Sequence, residues 1–138
     1  NVRDWLYVDD HAAALLTILS RGRIGETYLV GGNAERTNLD VVRTICALLD
    51  ERFPDSPHAP HARLIAFVAD RPGHDLRYAI DATRLRDELG WRPAVDFETG
   101  LGRTIAWYVE NRPWWEPLLS DRYDGERLGL RGKEKRKP

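Results

Sequence analysis

The chain has no methionine, a single cysteine and, although 31% of its 138 residues are charged, a formal net charge of only -1. Each scarcity excludes something. With no initiator and no internal methionine, a chain that opens on Asn1-Val2-Arg3-Asp4 reads as a piece of a longer protein, cut just before a strand. Cys46 has no partner for an internal disulfide, and among Val42, Ile45, Leu48 and Leu49 it is expected to be a small buried hydrophobe, not a nucleophile. The near-neutral charge gives no electrostatic footprint for nucleic acid or for an anionic membrane. No apolar run approaches the roughly 20 residues that span a bilayer. No N-terminal signal pattern is present either, so a cytoplasmic protein is expected.

What is there is globular. Hydrophobic residues make up 42% of a length that suits one compact domain, and the order of elements reads as mixed α/β. Residues 2–8 suit a short strand or extended lead-in. Asp9 or Asp10 is placed to cap a helix whose apolar face is Leu15, Leu16, Ile18 and Leu19, ended by Arg21-Gly22. A strand over 26–30 closes at Gly31-Gly32. Thr37 and Asp40 then have the spacing of a capping box, followed by Val42, Ile45, Cys46, Leu49 and Phe53 at helical intervals. The Pro- and His-rich stretch 54–62 is a connector, and 64–68 is the next apolar strand. Asp81 is placed to cap a short helix carrying Leu85 and Leu89 and stopped by Gly90. A last helix over about 97–111 carries Leu101, Ile105 and Tyr108. The Gly- and charge-rich end from Asp121 reads as frayed.

The densest chemistry lies at Asp70-Arg71-Pro72-Gly73-His74-Asp75-Leu76-Arg77-Tyr78. Proline presets one backbone angle of a turn and glycine allows the other, so Arg71 and His74 can point to one side of it. A guanidinium fork beside an imidazole is an anion clamp, suited best to a diphosphate. The plainer alternative is a solvated charged loop in which Asp70 and Asp75 neutralise Arg71 and Arg77. Arg3 likewise has two readings: an ion pair with Asp4, or a further phosphate contact. Asn38, just after the Thr37 cap, stands either as an anion-binding group at a helix N-terminus or as a second capping residue.

Other motifs carry less. Gly31-Gly32 is followed by Asn33, Ala34, Glu35 and Arg36, not by the G-x-G-x-x-G spacing that a dinucleotide pyrophosphate needs. His58 and His61 sit among Pro57 and Pro60 with no Cys or carboxylate cluster, so no metal site is expected. The basic run 133–137 reads as a solvated end, and Trp114-Trp115 as a cap on the core or a contact for an absent domain.

Four stretches together carry a resemblance: Val2-Arg3-Asp4-Trp5-Leu6-Tyr7-Val8-Asp9-Asp10-His11, Gly25-Glu26-Thr27-Tyr28-Leu29-Val30-Gly31-Gly32, Asn38-Leu39-Asp40-Val41-Val42, and residues 67–81, which hold the Arg/His turn. The chain up to about Trp115 resembles the C-terminal part of the bacterial nucleotide-sugar dehydratases of the extended short-chain dehydrogenase/reductase superfamily. The resemblance implies an α/β fold, the substrate-binding portion of an NAD(P)-binding Rossmann-type protein without its Rossmann core. It implies a nucleotide-sugar-binding region over 1–115 and a frayed, charged tail over 116–138. It implies that Arg3, Asn38, Arg71 and His74 contact the nucleotide sugar, with Asp70, Pro72 and Gly73 shaping the loop. The substrate implied is dTDP-glucose, converted to a 4-keto-6-deoxy sugar for deoxysugar supply such as rhamnose. In that reaction NAD oxidises C4, water leaves across C5 and C6, and the hydride returns to C6. NAD and the Tyr-x-x-x-Lys catalytic pair would lie in a missing N-terminal domain, since no Tyr here is followed four residues later by Lys. The whole protein is then an NAD-dependent hydro-lyase, expected to be a homodimer, and this piece alone is expected to be inactive. The alternatives are a UDP-sugar epimerase or decarboxylase of the same superfamily, or a non-catalytic binding module.

Overall fold

Three residues hold the architecture of the site together. Strand β1 (Val2–Asp4) pairs antiparallel with β2 (Glu35–Thr37) in the register Val2↔Thr37, Arg3↔Arg36, Asp4↔Glu35. On its other side Val2 forms a parallel bridge to Arg77, with Val2 N–H donating to the Leu76 carbonyl at 2.8 Å and Tyr78 N–H to the Val2 carbonyl at 3.1 Å. The start of the chain therefore lies between two segments that are about 35 and 75 residues away in sequence. The computed structural model describes residues 1–70 and 72–122.

The helices are α1 (Val8–Arg21), α2 (Asn38–Arg52), α3 (Thr83–Leu89), α4 (Phe97–Glu110) and α5 (Arg112–Arg122), with a short 3-10 turn at His61–Leu64; α2 packs on β2 and α4, α3 on α1, and α5 on α4. The capping box is where the spacing places it. Thr37 Oγ1 accepts the Asp40 N–H at 3.0 Å and donates to Asp40 Oδ2 at 2.6 Å. Gly90 ends α3 in the left-handed region at φ 71, and Leu85 and Leu89 face inward as the periodicity predicts. Asp81 serves α3 from one position earlier than the formal cap, accepting the Thr83 N–H at 2.9 Å. α4 is capped by Asp96, whose carboxylate takes the Thr99 N–H at 2.8 Å and is thereby held below the usual carboxylate range.

The core is small. Ala14, Leu85, Leu89 and Trp91 are buried together, with Leu6, Ile18, Tyr28 and Val30 packed on them. Cys46 is a buried free thiol beside the core face of α2, in keeping with its sequence context.

Several sequence expectations need correction. Residues 26–30 and 65–68 are extended or irregular, and Leu64 ends the 3-10 turn; neither run is a strand. A strand exists only where a neighbour accepts its ladder, and neither run has such a neighbour among the described residues. The inward face of α1 is Ala14 and Ile18, whereas Leu15, Leu16 and Leu19 are exposed. Neither Asp9 nor Asp10 caps α1, which starts at Tyr7 without a side-chain cap. Asp10 is buried instead, and its Oδ2 accepts both the Ala94 N–H at 3.1 Å and the Val95 N–H at 2.9 Å, tying α1 to the loop before α4. On α2 Val41 faces in and Val42 out. Tyr108 of α4 is half-exposed and meets Trp115 edge-on instead of facing the core. α5 carries the helical chain through Arg122, past the boundary at 115; residues 123–138 lie outside the described residues.

Asp10→Asn tests the tie directly. One amide oxygen can still accept those N–H groups, but without charge, so urea unfolding of the full-length variant should show a loss of about 1 kcal/mol. An unchanged midpoint would mean that the Ala94–Val95 loop does not depend on Asp10.

Candidate functional site

Because β1 lies against residues 76–78, the Arg3 side chain reaches the loop that follows Gly73. Its Nη2 donates to His74 Nε2 at 2.9 Å and to the Asp75 carbonyl at 3.0 Å, and its Nη1 donates to the Val2 carbonyl at 2.6 Å. The guanidinium carbon sits 4.3 Å from the centroid of the Tyr78 ring. A guanidinium only donates, so His74 Nε2 must accept and the ring proton lies on Nδ1. That nitrogen is 2.7 Å from Asp70 Oδ1, and the Asn1 carboxamide lies beside it, also at 2.7 Å. Asp70, His74 and Arg3 thus form one line of hydrogen bonds, with the acid orienting the ring and the ring receiving the guanidinium.

The loop geometry matches the turn the sequence announces. Pro72 and Gly73 form a turn, and Gly73 takes φ +70, a conformation open to glycine at little cost. Arg71 lies outside the described residues. Asn38 is the exposed first residue of α2, and its backbone N–H donates to the Asn1 carbonyl at 2.9 Å. Asn1 therefore lies between Asn38, whose N–H its carbonyl accepts, and His74, whose protonated Nδ1 its carboxamide nitrogen approaches without donating to it. Arg3, Asp70, His74 and Asn38 come from three separated stretches onto one surface.

Charges around the loop are not distributed as simple sequence neutralisation suggests. Arg77 pairs with Glu35 in a two-pronged bridge, 2.6 Å from Nε and 2.7 Å from Nη2, and not with Asp75. The hydrogen bonds from Arg77 hold the Glu35 carboxyl below its ordinary range, and those to Glu35 raise Arg77. Asp75 instead accepts the Tyr78 hydroxyl. Asp4 does not pair with Arg3: its Oδ2 accepts the Gly32 N–H at 2.9 Å and its Oδ1 the Ala34 N–H at 2.8 Å. Arg3 keeps its Nε–H and one Nη1–H without a partner among the described residues. The Nε–H and the Nη1–H lie on different edges of the planar guanidinium, so an anion at this surface could accept from either one.

The remaining candidates resolve into structure. Both oxygens of Asp4 hold the Gly31-Gly32 turn, and a Cβ on Gly32 would lie 2.0 Å from the Trp5 carbonyl oxygen, so the pair is a close-packing device with no open backbone cradle for a dinucleotide. The residues here do not fit an NAD site. His61 Nδ1 lies 2.5 Å from Asp50 Oδ1, and Asp50 also takes the His61 N–H, which holds that carboxyl low. Among the described residues no cluster suits a metal ion, and no helix is long and apolar enough to cross a membrane. Trp114 and Trp115 stack edge-on against Trp107 and Tyr108, knitting α5 to α4. Beside the clamp an open groove of about 1290 Å³ runs past Trp5, Tyr7, Arg36, Trp91, Phe97 and Arg103. Neither Arg3 nor His74 lines it. Sequence reasoning missed Asn1, Glu35 and Tyr78, whose roles exist only once distant segments meet. The one available hint was the alternation at Leu76-Arg77-Tyr78 in an extended stretch.

The chain carrying this surface is the C-terminal part of an extended short-chain dehydrogenase/reductase fold. The chain belongs to the family described as GDP-mannose 4,6 dehydratase, whose model matches residues 1–104. It is 58% identical over 130 residues to a probable dTDP-glucose 4,6-dehydratase of Sinorhizobium fredii, covering 94% of this chain and 37% of that protein. It is 53% identical over 131 residues to a dTDP-glucose 4,6-dehydratase of Escherichia coli, covering 94% of this chain and 36% of that protein. Among solved structures it is similar to the dTDP-glucose 4,6-dehydratase of Bacillus anthracis in complex with NAD. The TM-score is 0.73 at 45% identity, over 86% of this chain and 34% of that one. The enzyme of Streptomyces venezuelae, also with NAD bound, superposes with a TM-score of 0.71 at 43% identity over the same shares. The chain thus spans about a third of the length of the relatives it matches.

Proposed function

We propose that this chain supplies the nucleotide-diphosphate clamp of a dTDP-glucose 4,6-dehydratase. The whole protein would convert dTDP-glucose to dTDP-4-keto-6-deoxyglucose with loss of water, in deoxysugar and polysaccharide supply. The observation that carries it is Arg3, fixed against His74 with its Nε–H and one Nη1–H left without a partner among the described residues. A diphosphate is the ligand that best uses several fixed donors from separate elements. The contacts proposed are Arg3, Asn38, Arg71 and His74, with Asp70 orienting the imidazole and Pro72 and Gly73 shaping the turn.

The region 1–115 holds these contacts, with 116–138 as an extension outside them. NAD, and the groups that move protons and hydride on the sugar, belong to the rest of the protein, so the piece alone is inactive. The exposed Leu15, Leu16 and Leu19 of α1 are the face on which that remainder would pack. A homodimer and a cytoplasmic location complete the reading, carried over from the family resemblance.

The test is calorimetric titration of dTDP into the full-length protein and its Arg71→Ala variant, with NAD content as a control. Loss of one arginine–phosphate contact should weaken dTDP about tenfold and leave NAD content unchanged. Unaltered dTDP affinity would count against the clamp. Product analysis separates the epimerase alternative, because only the dehydratase yields a 4-keto-6-deoxy sugar.

A further inference from the structure

Arg3 is worth most to an anion if its fork cannot swing away, and one side of that fork is set by a residue with no assigned role. The Tyr78 ring lies under the guanidinium at 4.3 Å from its carbon. The ring is itself restrained twice. The Tyr78 N–H donates to the Val2 carbonyl at 3.1 Å, one residue from Arg3, and the Tyr78 hydroxyl donates to Asp75. Asp75 returns to the same arginine, since its carbonyl accepts from Arg3 Nη2 at 3.0 Å. The segment cannot slide along β1 without breaking the Glu35–Arg77 bridge, whose two contacts are 2.6 and 2.7 Å. An aromatic face, a carbonyl and an imidazole therefore fix the plane of the guanidinium, and its Nε–H and second Nη1–H, on different edges, are left to donate.

We infer that Tyr78 is a positioning residue for the anion-binding arginine. It acts through Arg3, by its aromatic face, and does not touch the ligand. This rests on the clamp reading and extends it. Half of Tyr78 is exposed, so its ring contributes little to core burial and can be changed without opening a cavity. The role belongs to the ring face and not to the hydroxyl, because the guanidinium is attracted by the π-cloud. A leucine of similar bulk would fill the place but leave the fork free to rotate.

A double-mutant cycle on the full-length protein, read by calorimetric titration with dTDP, tests this. Tyr78→Leu is expected to weaken dTDP about fivefold, a typical scale for an exposed cation–π contact. Tyr78→Phe, which keeps the face, should recover most of that loss. In an Arg3→Ala background Tyr78→Leu should change nothing, since the group it positions is gone. Should Tyr78→Leu lose its NAD content, a sign of misfolding, Tyr78→Gln takes its place at this half-exposed position with the same expected fivefold loss. If Arg3→Ala weakens dTDP while Tyr78→Leu or Tyr78→Gln does not, the positioning role is wrong and the clamp stands. An equal effect of Tyr78→Leu with and without Arg3 overturns the role as well. If Arg3→Ala itself leaves dTDP affinity unchanged, the clamp reading fails and takes the positioning role with it.

Discussion

Gly32→Ala should cost about 4 kcal/mol in urea unfolding, the largest stability loss expected from any single methyl group in this chain. The new Cβ would stand 2.0 Å from the Trp5 carbonyl oxygen and 2.9 Å from its carbon, and neither is the end of a flexible side chain. Relief requires the 31–34 turn to leave β1. That motion would break the Trp5 N–H bond to the Ala34 carbonyl, at 3.2 Å, and both bonds from Gly32 and Ala34 to the Asp4 carboxylate. Two of these three bonds are to a charged acceptor, where each contributes about 1.5–3 kcal/mol. Gly102→Ala is the control. Nothing lies within 4 Å of a Cβ there, inside α4, and alanine favours helix over glycine by about 1 kcal/mol, so its sign should be opposite. A Gly32→Ala protein as stable as its parent would mean that the turn is free to shift and that Asp4 does not hold it.

The glycine pair shows how the sequence could be read correctly for what it is not and still leave its role unseen. Its spacing alone ruled out a dinucleotide loop, whereas the reason for two glycines lies in the Asp4 carboxylate, 2.6 Å from a Cβ on Gly31, and in the Trp5 carbonyl against Gly32. Much of the local chemistry was legible, the expected cap of α1 by Asp9 or Asp10 excepted. Thr37 with Asp40, Leu85 with Leu89, Gly90 and the Pro72-Gly73 turn are short-range devices, and each stands where the sequence places it. The strands over 26–30 and 64–68 failed for the complementary reason. Their β-branched and apolar residues express a preference for a pleated, covered surface, and preference becomes a strand only when another chain segment accepts the ladder. The outward Leu15, Leu16 and Leu19 follow the same logic. Apolar periodicity marks a face to be covered, and on the 138-residue chain the inward side of α1 goes to Ala14 and Ile18.

For the candidate site, sequence reasoning offered Arg3, Asn38 and His74 but could not pair them with their neighbours. Asp75 looked like the neutraliser of Arg77, while the pairing observed joins Arg77 to Glu35 across 42 positions and Arg3 to His74 across 71. These distances close because β1 lies between β2 and residues 76–78, an arrangement set by three residues with no distinctive pattern of their own.

Arg3→Ala should therefore weaken dTDP far more than any other single change at this surface, by about a hundredfold, or about 2.8 kcal/mol at 1.4 kcal/mol per decade. The substitution removes both free N–H donors and the charge behind them, and it leaves His74 Nε2 without its donor. Arg3→Lys separates charge from shape. An ammonium carries the same charge, but as a single point it cannot serve the imidazole, the Asp75 carbonyl and an incoming anion at once. It should recover about a tenfold share of the loss and show a steeper dependence on salt, as a point-charge contact is screened more readily than a fixed fork. Thymidine, which has the base and sugar but no phosphate, decides whether the effect is electrostatic recognition or collapse of the loop. A clamp predicts that Arg3→Ala leaves thymidine binding within about twofold of the parent, because only the diphosphate uses the guanidinium. A parallel loss for dTDP and thymidine would show that Arg3 serves to brace β1 against residues 74–78, and that the diphosphate is held elsewhere.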